Sequence, residues 1–170
     1  MTKFTALLSA AVLIIIDQVI KLWALAALAP PDGVSITVIP GLFLLTYVEN
    51  PGAAFGILNG ATGFLSITVS IVLIVAISAI VSGKIKDKFL IFAASLVIAG
   101  GAGNLIDRLW RGFVVDYLDF SALFGFPVFN FADCCVVTGT ILILIYILFF
   151  DEQHKESIAP EASDKPEKEV

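Results

Sequence analysis

Residues 61–82, ATGFLSITVSIVLIVAISAIVS, run without one charged side chain. The hydrocarbon core of a bilayer takes about 20 apolar residues per spanning helix. Three further stretches, 4–28, 89–106 and 131–150, reach that length and character or nearly so. Hydrophobic side chains make up 59% of the 170 residues, well above the roughly 45–50% of ordinary soluble domains. In lipid each backbone N–H and C=O must be satisfied within the chain, so such stretches span as helices. The expected fold is an all-α integral membrane protein, a four-transmembrane-helix bundle.

The net charge of −5 is a poor guide to the folded part, because acids crowd the last 20 residues, DEQHKESIAPEASDKPEKEV. A segment this polar cannot bury enough surface to fold, so 151–170 reads as a disordered acidic tail and 1–150 as a single membrane-embedded domain. No basic patch interleaved with aromatics points to nucleic acid. The N-terminus has Lys3, an apolar run and an ALA at 27–29, which together look like a secretory signal. Asp17, Gln18 and Lys21 fall between that run and the ALA, where signal peptides carry few charges. An uncleaved first span is the better reading.

Orientation follows the Lys and Arg flanking the spans. Lys3, Lys84, Lys86, Lys88, Lys155, Lys165 and Lys168 fall on the side of the termini; Lys21, Arg108 and Arg111 fall on the other. Both termini are therefore expected in the cytoplasm, with 29–60 and 107–130 outside. Asp17 then lies roughly 20 Å along the first span at 1.5 Å per residue, in the outer leaflet. Asp107 closes the third span at its outer end, and Asp133 opens the fourth at the same level. Asp116 and Asp119 lie in the outer loop between them. An ionised side chain within a span costs on the order of 2.5–3.5 kcal/mol, so several at one depth suggest a polar site facing the bundle interior.

Elimination narrows the chemistry. A Ser or Cys nucleophile commonly takes a His base, and the single histidine, His154, is in the tail, across the bilayer from the acids. Cys134 and Cys135 lack C-x-x-C spacing, point about 100° apart on a helix and read as apolar filler. Lys21 follows Asp17 by four residues, the spacing of a helical ion pair. Carboxylates remain: two held close share one proton, one acting as base toward water and the other as acid toward the substrate. No metal or cofactor is required, although hard cations also bind oxygen clusters. Intramembrane acids also mark ion pathways, so a small transporter or proton relay is the alternative. Against it, the second span carries no charge.

Alternation of Val34, Ile36 and Val38 with Ser35 and Thr37, then Pro40-Gly41 and LFLLTYV, predicts a short sheet over 34–49 on the outer surface. NPGAAFG (50–56) turns the chain with small residues, including Gly52, that let backbone approach the site. Asn50 is placed to hydrogen-bond a carboxylate or to hold the turn. The glycines of AGGAGNLIDR (99–108) permit close helix contact, and Asp107 with Arg108 is expected to neutralise charge locally. GFVVDYLDF (112–120) reads as an apolar segment dipping to the surface. The residues themselves leave Asp116 and Asp119 equally eligible.

Taken together, DQVIK (17–21), NPGAAFG (50–56), GGAGNLIDR (100–108), VVDY (114–117) and FNFAD (129–133) resemble, in order and spacing, the lipoprotein signal peptidases, or signal peptidase II. The resemblance implies a bacterial inner-membrane aspartic endopeptidase that cleaves diacylglyceryl-modified prolipoproteins just before the lipidated cysteine. It implies an enzyme with no nucleic-acid partner, working as a monomer among membrane lipids. Asp116 and Asp133 become the catalytic pair, with Asn50, Asn104, Arg108 and Asn130 supporting them or binding substrate. Asp17 and Asp107 become polar supports, the surface sheet becomes a substrate cradle, and Asp119 is an additional acid.

Overall fold

The computed structural model describes residues 2–29, 34–52 and 60–149. The tail, His154, and residues 53–56 of the small-residue turn lie outside them. Four long helices, α1 (Lys3–Leu28), α2 (Thr62–Val81), α3 (Lys88–Arg111) and α5 (Phe131–Phe149), are each long and apolar enough to cross a membrane. Strands β1 (Ile36–Ile39), β2 (Phe43–Asn50) and β3 (Val114–Asp119) form an antiparallel sheet in that order, and α4 (Ser121–Phe124) is a single short turn.

Local chemistry sets the helix ends. Thr2 and Thr5 form a reciprocal cap at the start of α1, and Asp87 accepts the Phe89 and Leu90 amides at 2.8 and 3.0 Å to start α3. Gly112 ends α3 in the left-handed region at φ 84°, donating its N–H to the Arg108 carbonyl at 3.2 Å. A β-carbon there would cost strain, so glycine is the natural stop.

Apolar and polar side chains are distributed inside out. Phe4, Ile15, Val19, Phe64, Ile67, Ile74 and Leu148 face outward, whereas Asp17, Lys21, Asn104, Asp107, Asp116 and Asn130 are buried. Surrounding lipid, being as apolar as these side chains, leaves no reason to hide them. The most buried of the long helices, α3, is the one the others pack around. Ala10, Leu73, Ile80, Ala94, Ile98 and Ala99 join α1, α2 and α3; Ala24 and Leu28 of α1 join Val115 and Tyr117 of β3 under the sheet.

Small residues allow the close approaches. A β-carbon on Gly139 would stand 2.6 Å from the Ala93 carbonyl oxygen, and one on Gly103 would stand 2.5 Å from Asp17 Oδ2. The glycine-rich run of α3 is therefore a packing surface for α1 and α5.

Residues 114–119 do more than dip to the surface, which corrects the expectation for that segment. They form β3, and Val114, Val115, Asp116 and Tyr117 are all buried. A strand covered on both faces shows no hydrophobic alternation, which hid it from a period-2 reading.

Candidate active site

Strand pairing brings Asp116 to Asn50. Val48 lies opposite Asp116 and Asn50 opposite Val114, so Asn50 and Asp116 are diagonal neighbours on one face, within reach of each other's side chains. Asn50 Nδ2 donates to Asp116 Oδ2 at 2.9 Å, and Asn50 Oδ1 accepts the Gly52 amide at 3.0 Å. Asn50 thus holds the turn and a carboxylate together.

The beginning of α5 brings Asp133 to the same place. Asn130 is its N-cap: Asn130 Oδ1 accepts the Asp133 amide at 3.0 Å, and the Asn130 amide donates to Asp133 Oδ2 at 3.1 Å. This is a reciprocal capping box with Asp in the third helical position, where Glu or Gln is more usual. Asn130 Nδ2 reaches Asp116 Oδ1 at 2.6 Å. Phe129 pairs with Leu118 of β3 through hydrogen bonds of 2.8 and 3.1 Å, and stacking of Phe43, Phe120 and Phe129 fixes that junction. One asparagine therefore couples the two acids, and the chain before it is tied to β3.

The remaining first-turn amides of α5 are also satisfied. Phe131 N–H donates to the Tyr117 hydroxyl oxygen at 3.2 Å, and Ala132 N–H donates to Asp17 Oδ1 at 3.1 Å. An acid of the first span thus caps the fourth, which places both at one level, as the sequence anticipates. From α3, Asn104 Nδ2 donates to Asp133 Oδ1 at 2.7 Å.

Beneath this lies a buried charge network. Lys21 Nζ lies 3.0 Å from Asp17 Oδ2, 2.9 Å from Asp107 Oδ2 and 2.8 Å from Asn104 Oδ1. Asp107 also pairs with Arg111 and accepts the Val115 amide at 3.2 Å. The neighbouring Arg108 makes no ion pair with Asp107. It turns the other way, giving Nη2 to the Gly52 carbonyl at 3.0 Å, while its buried Nε has no hydrogen-bond partner among the described residues. The expected local Asp107–Arg108 pairing is thus replaced by Asp107–Arg111 at the i, i+4 spacing. Two members escaped sequence reasoning: Arg111, which the spacing rule applied to Asp17 and Lys21 would have found, and Gln18, which donates to Asp17 at 3.1 Å and Asp107 at 3.3 Å with no local signal.

Asp116 and Asp133 line one cavity of about 570 Å³, with Asn50, Asn104, Arg108 and Cys134 around them and Val114, Phe126, Phe129, Val136 and Val137 as apolar walls. Burial, then the charge of Asp133, pushes the Asp116 carboxyl up to about 7 against the opposing pull of hydrogen bonds from Asn50 and Asn130. Burial likewise raises Tyr117, and with Glu49 it raises Tyr47 to about 12, so both stay neutral phenols. Asp119 is on the opposite face of β3, where its Oδ1 accepts the Ser121 amide at 2.8 Å. Among the described residues no group of three or more His, Cys, Asp or Glu is placed to hold a metal. A buried carboxyl raised into the neutral range and a half-buried one, both lining one apolar cavity, suit general acid–base chemistry on water.

A family profile described as "Signal peptidase (SPase) II" matches residues 9–149. The lipoprotein signal peptidase of Clostridium acetobutylicum is 42% identical over 149 residues, covering 86% of this chain and 96% of that protein. Its counterpart in Clostridioides difficile is 44% identical over 149 residues, covering 84% and 94%. A solved structure, described as a bacterial membrane enzyme determined by the in meso method at 2.3 Å resolution, superposes with a TM-score of 0.76 at 39% identity and covers 98% of this chain and 94% of that one.

Proposed function

Because the chain belongs to the signal peptidase II family, we propose that Asp116 and Asp133 are its catalytic pair and that it is an aspartic endopeptidase. It is a multi-pass protein of the bacterial inner membrane that removes signal peptides from lipoprotein precursors. The transporter reading is not favoured by these relatives.

The observation carrying the proposal is that β3 and α5 deliver two carboxyls to one cavity, bridged by Asn130. Asp116 holds the shared proton at and below neutral pH. A water between the pair gives a proton to Asp133 as its oxygen bonds to the scissile carbonyl carbon, and Asp116 protonates the carbonyl oxygen. Asp133 then passes its proton to the amide nitrogen while Asp116 takes one back from a hydroxyl of the tetrahedral intermediate, so the carbon–nitrogen bond breaks to leave a carboxylic acid and a neutral amine as the new N-terminus. Arg108 lines the cavity and ties α3 to the Gly52 carbonyl beside Asn50, and the apolar walls accommodate the signal peptide. The bond cut precedes a diacylglyceryl-modified cysteine, whose acyl chains remain in the surrounding lipid. Residues 1–150 form the peptidase domain, active as a monomer, with both termini cytoplasmic and the dyad near the outer leaflet. That depth explains why acids interrupt spans: a substrate anchored by an apolar helix presents its peptide bond at the membrane surface.

Incubating the purified protein with a diacylglyceryl-modified prolipoprotein is expected to release the signal peptide. The rate should fall as pH rises through about 7, where Asp116 loses its proton, by about tenfold per pH unit beyond it. No release, or a rate that climbs through that range, contradicts the reading.

A further inference from the structure

We propose that Lys21 is a positioning residue for the reaction, acting through Asn104 to fix the hydrogen-bond donor that holds Asp133. This rests on the assignment of Asp116 and Asp133 above. Lys21 is fully buried in the first span. An ammonium carries three hydrogens and no acceptor, and all three of its hydrogens have partners: Asp17 Oδ2, Asp107 Oδ2 and Asn104 Oδ1.

The third partner is the informative one. Neutralising Asp17 and Asp107 needs no contact with an amide, yet the shortest of the three distances, 2.8 Å, is to Asn104. Because Lys21 can only donate, the atom facing it must be the oxygen of the Asn104 amide. Asn130 Nδ2, at 3.2 Å, donates to that same oxygen. The NH₂ is thereby obliged to point at Asp133 Oδ1, 2.7 Å away. Rotating the amide by half a turn would set its NH₂ against an ammonium and a second NH₂, and its oxygen against a carboxylate. The Asn130 amide is fixed in the same manner by an obligate donor, the Asp133 backbone N–H at its oxygen. Each acid thus faces an oriented N–H, and the orientation of the one at Asp133 traces to Lys21.

Lys21 also exerts its charge here. The ionisable groups around it are Asp17 on its own helix, Asp107, Arg108 and Arg111 of α3, Asp116 of β3 and Asp133 of α5. Its cation favours the ionised form of Asp116. Removing it should therefore move the loss of the Asp116 proton to higher pH.

Two variants separate this role from simple charge balance. Lys21→Met combined with Asp17→Asn removes a cation and an anion together and leaves Asp107 paired with Arg111. Lys21→Gln keeps a neutral donor for Asn104. With a diacylglyceryl-modified prolipoprotein as substrate, the double variant is expected to lose roughly tenfold to a hundredfold in kcat, by analogy with the outer partners that orient the ligands of metal sites. Its KM should stay near the wild-type value, and the falling limb of its pH–rate profile should shift upward. Lys21→Gln should recover part of kcat but not the position of the limb. Variants losing rate only in proportion to their unfolded fraction, with the limb in its wild-type place, would overturn the proposal. Asp116→Asn is assayed beside them, since its activity would discard the dyad itself whatever the Lys21 variants do.

Discussion

Asp116→Asn and Asp133→Asn are each expected to lower the single-turnover rate by on the order of 10⁴-fold, the upper range for loss of a general acid or base. The amide has the shape of the carboxyl but can neither take a proton from water nor release one to a carbonyl oxygen. Structural cost should be small by comparison. Asp116 accepts N–H donors on both oxygens, from Asn130 at 2.6 Å and Asn50 at 2.9 Å. Asparagine there keeps one of these bonds and sets an NH₂ against the other donor, costing about 1–3 kcal/mol. At Asp133 the same exchange affects Asn104 Nδ2 and the Asn130 amide. Melting temperature in detergent, measured beside cleavage, separates the two effects: a folded, inserted and inactive protein is the expected result. Cleavage by either variant near the wild-type rate would remove that residue from the mechanism.

The largest effect on stability is expected at Asp107. It is wholly buried and accepts from Lys21 Nζ at 2.9 Å, from Arg111, from the Val115 amide at 3.2 Å and from Gln18 at 3.3 Å. Breaking a buried ion pair by deleting one partner leaves the other charged and poorly solvated, which costs about 3–5 kcal/mol. Asp107→Ala leaves Arg111 without its ion-pair partner, leaves Lys21 with Asp17 as its one remaining anion, and strips the Val115 amide of β3 of its acceptor. Asp119→Ala, which loses only the bond to the Ser121 amide, should cost about 1 kcal/mol. Thermal unfolding of the two variants in one detergent checks the contrast. Equal losses would mean that the Asp107 network is not what holds α1, α3 and β3 together.

The contrast between these acids also shows what the sequence makes legible. Four spans follow from hydrocarbon length alone, and the ends agree closely: 4–28 against Lys3–Leu28, 61–82 against Thr62–Val81, and 131–150 against Phe131–Phe149. The third runs past 106 to Arg111 because Asp107 and Arg111 pair along the helix and Gly112 supplies the stop. Local rules also reach Asp17 with Lys21, and β1 with β2. They fail where partners come from elsewhere. β3 has no alternation because α1 covers one face and the site occupies the other. Asp116 and Asp119 are equivalent in composition, and only the pairing of β2 with β3, with alternation along the strand, sends one toward Asn50 and the other away. The role of Asn130 had a usable signal: Asn followed three residues later by an acid at the head of an apolar run is an N-cap pattern. Gln18 had none.

If Asp116 and Asp133 share one proton in a single cavity, the carboxyl C=O stretch must report it. Infrared titration, with difference spectra of the wild type against Asp116→Asn, reads that band. The expected result is a protonated carboxyl signal belonging to Asp116 that disappears as pH rises through about 7 and is missing from the variant. An Asp116 carboxyl already ionised throughout the acidic range, or a titrating band identical in the two proteins, would contradict it.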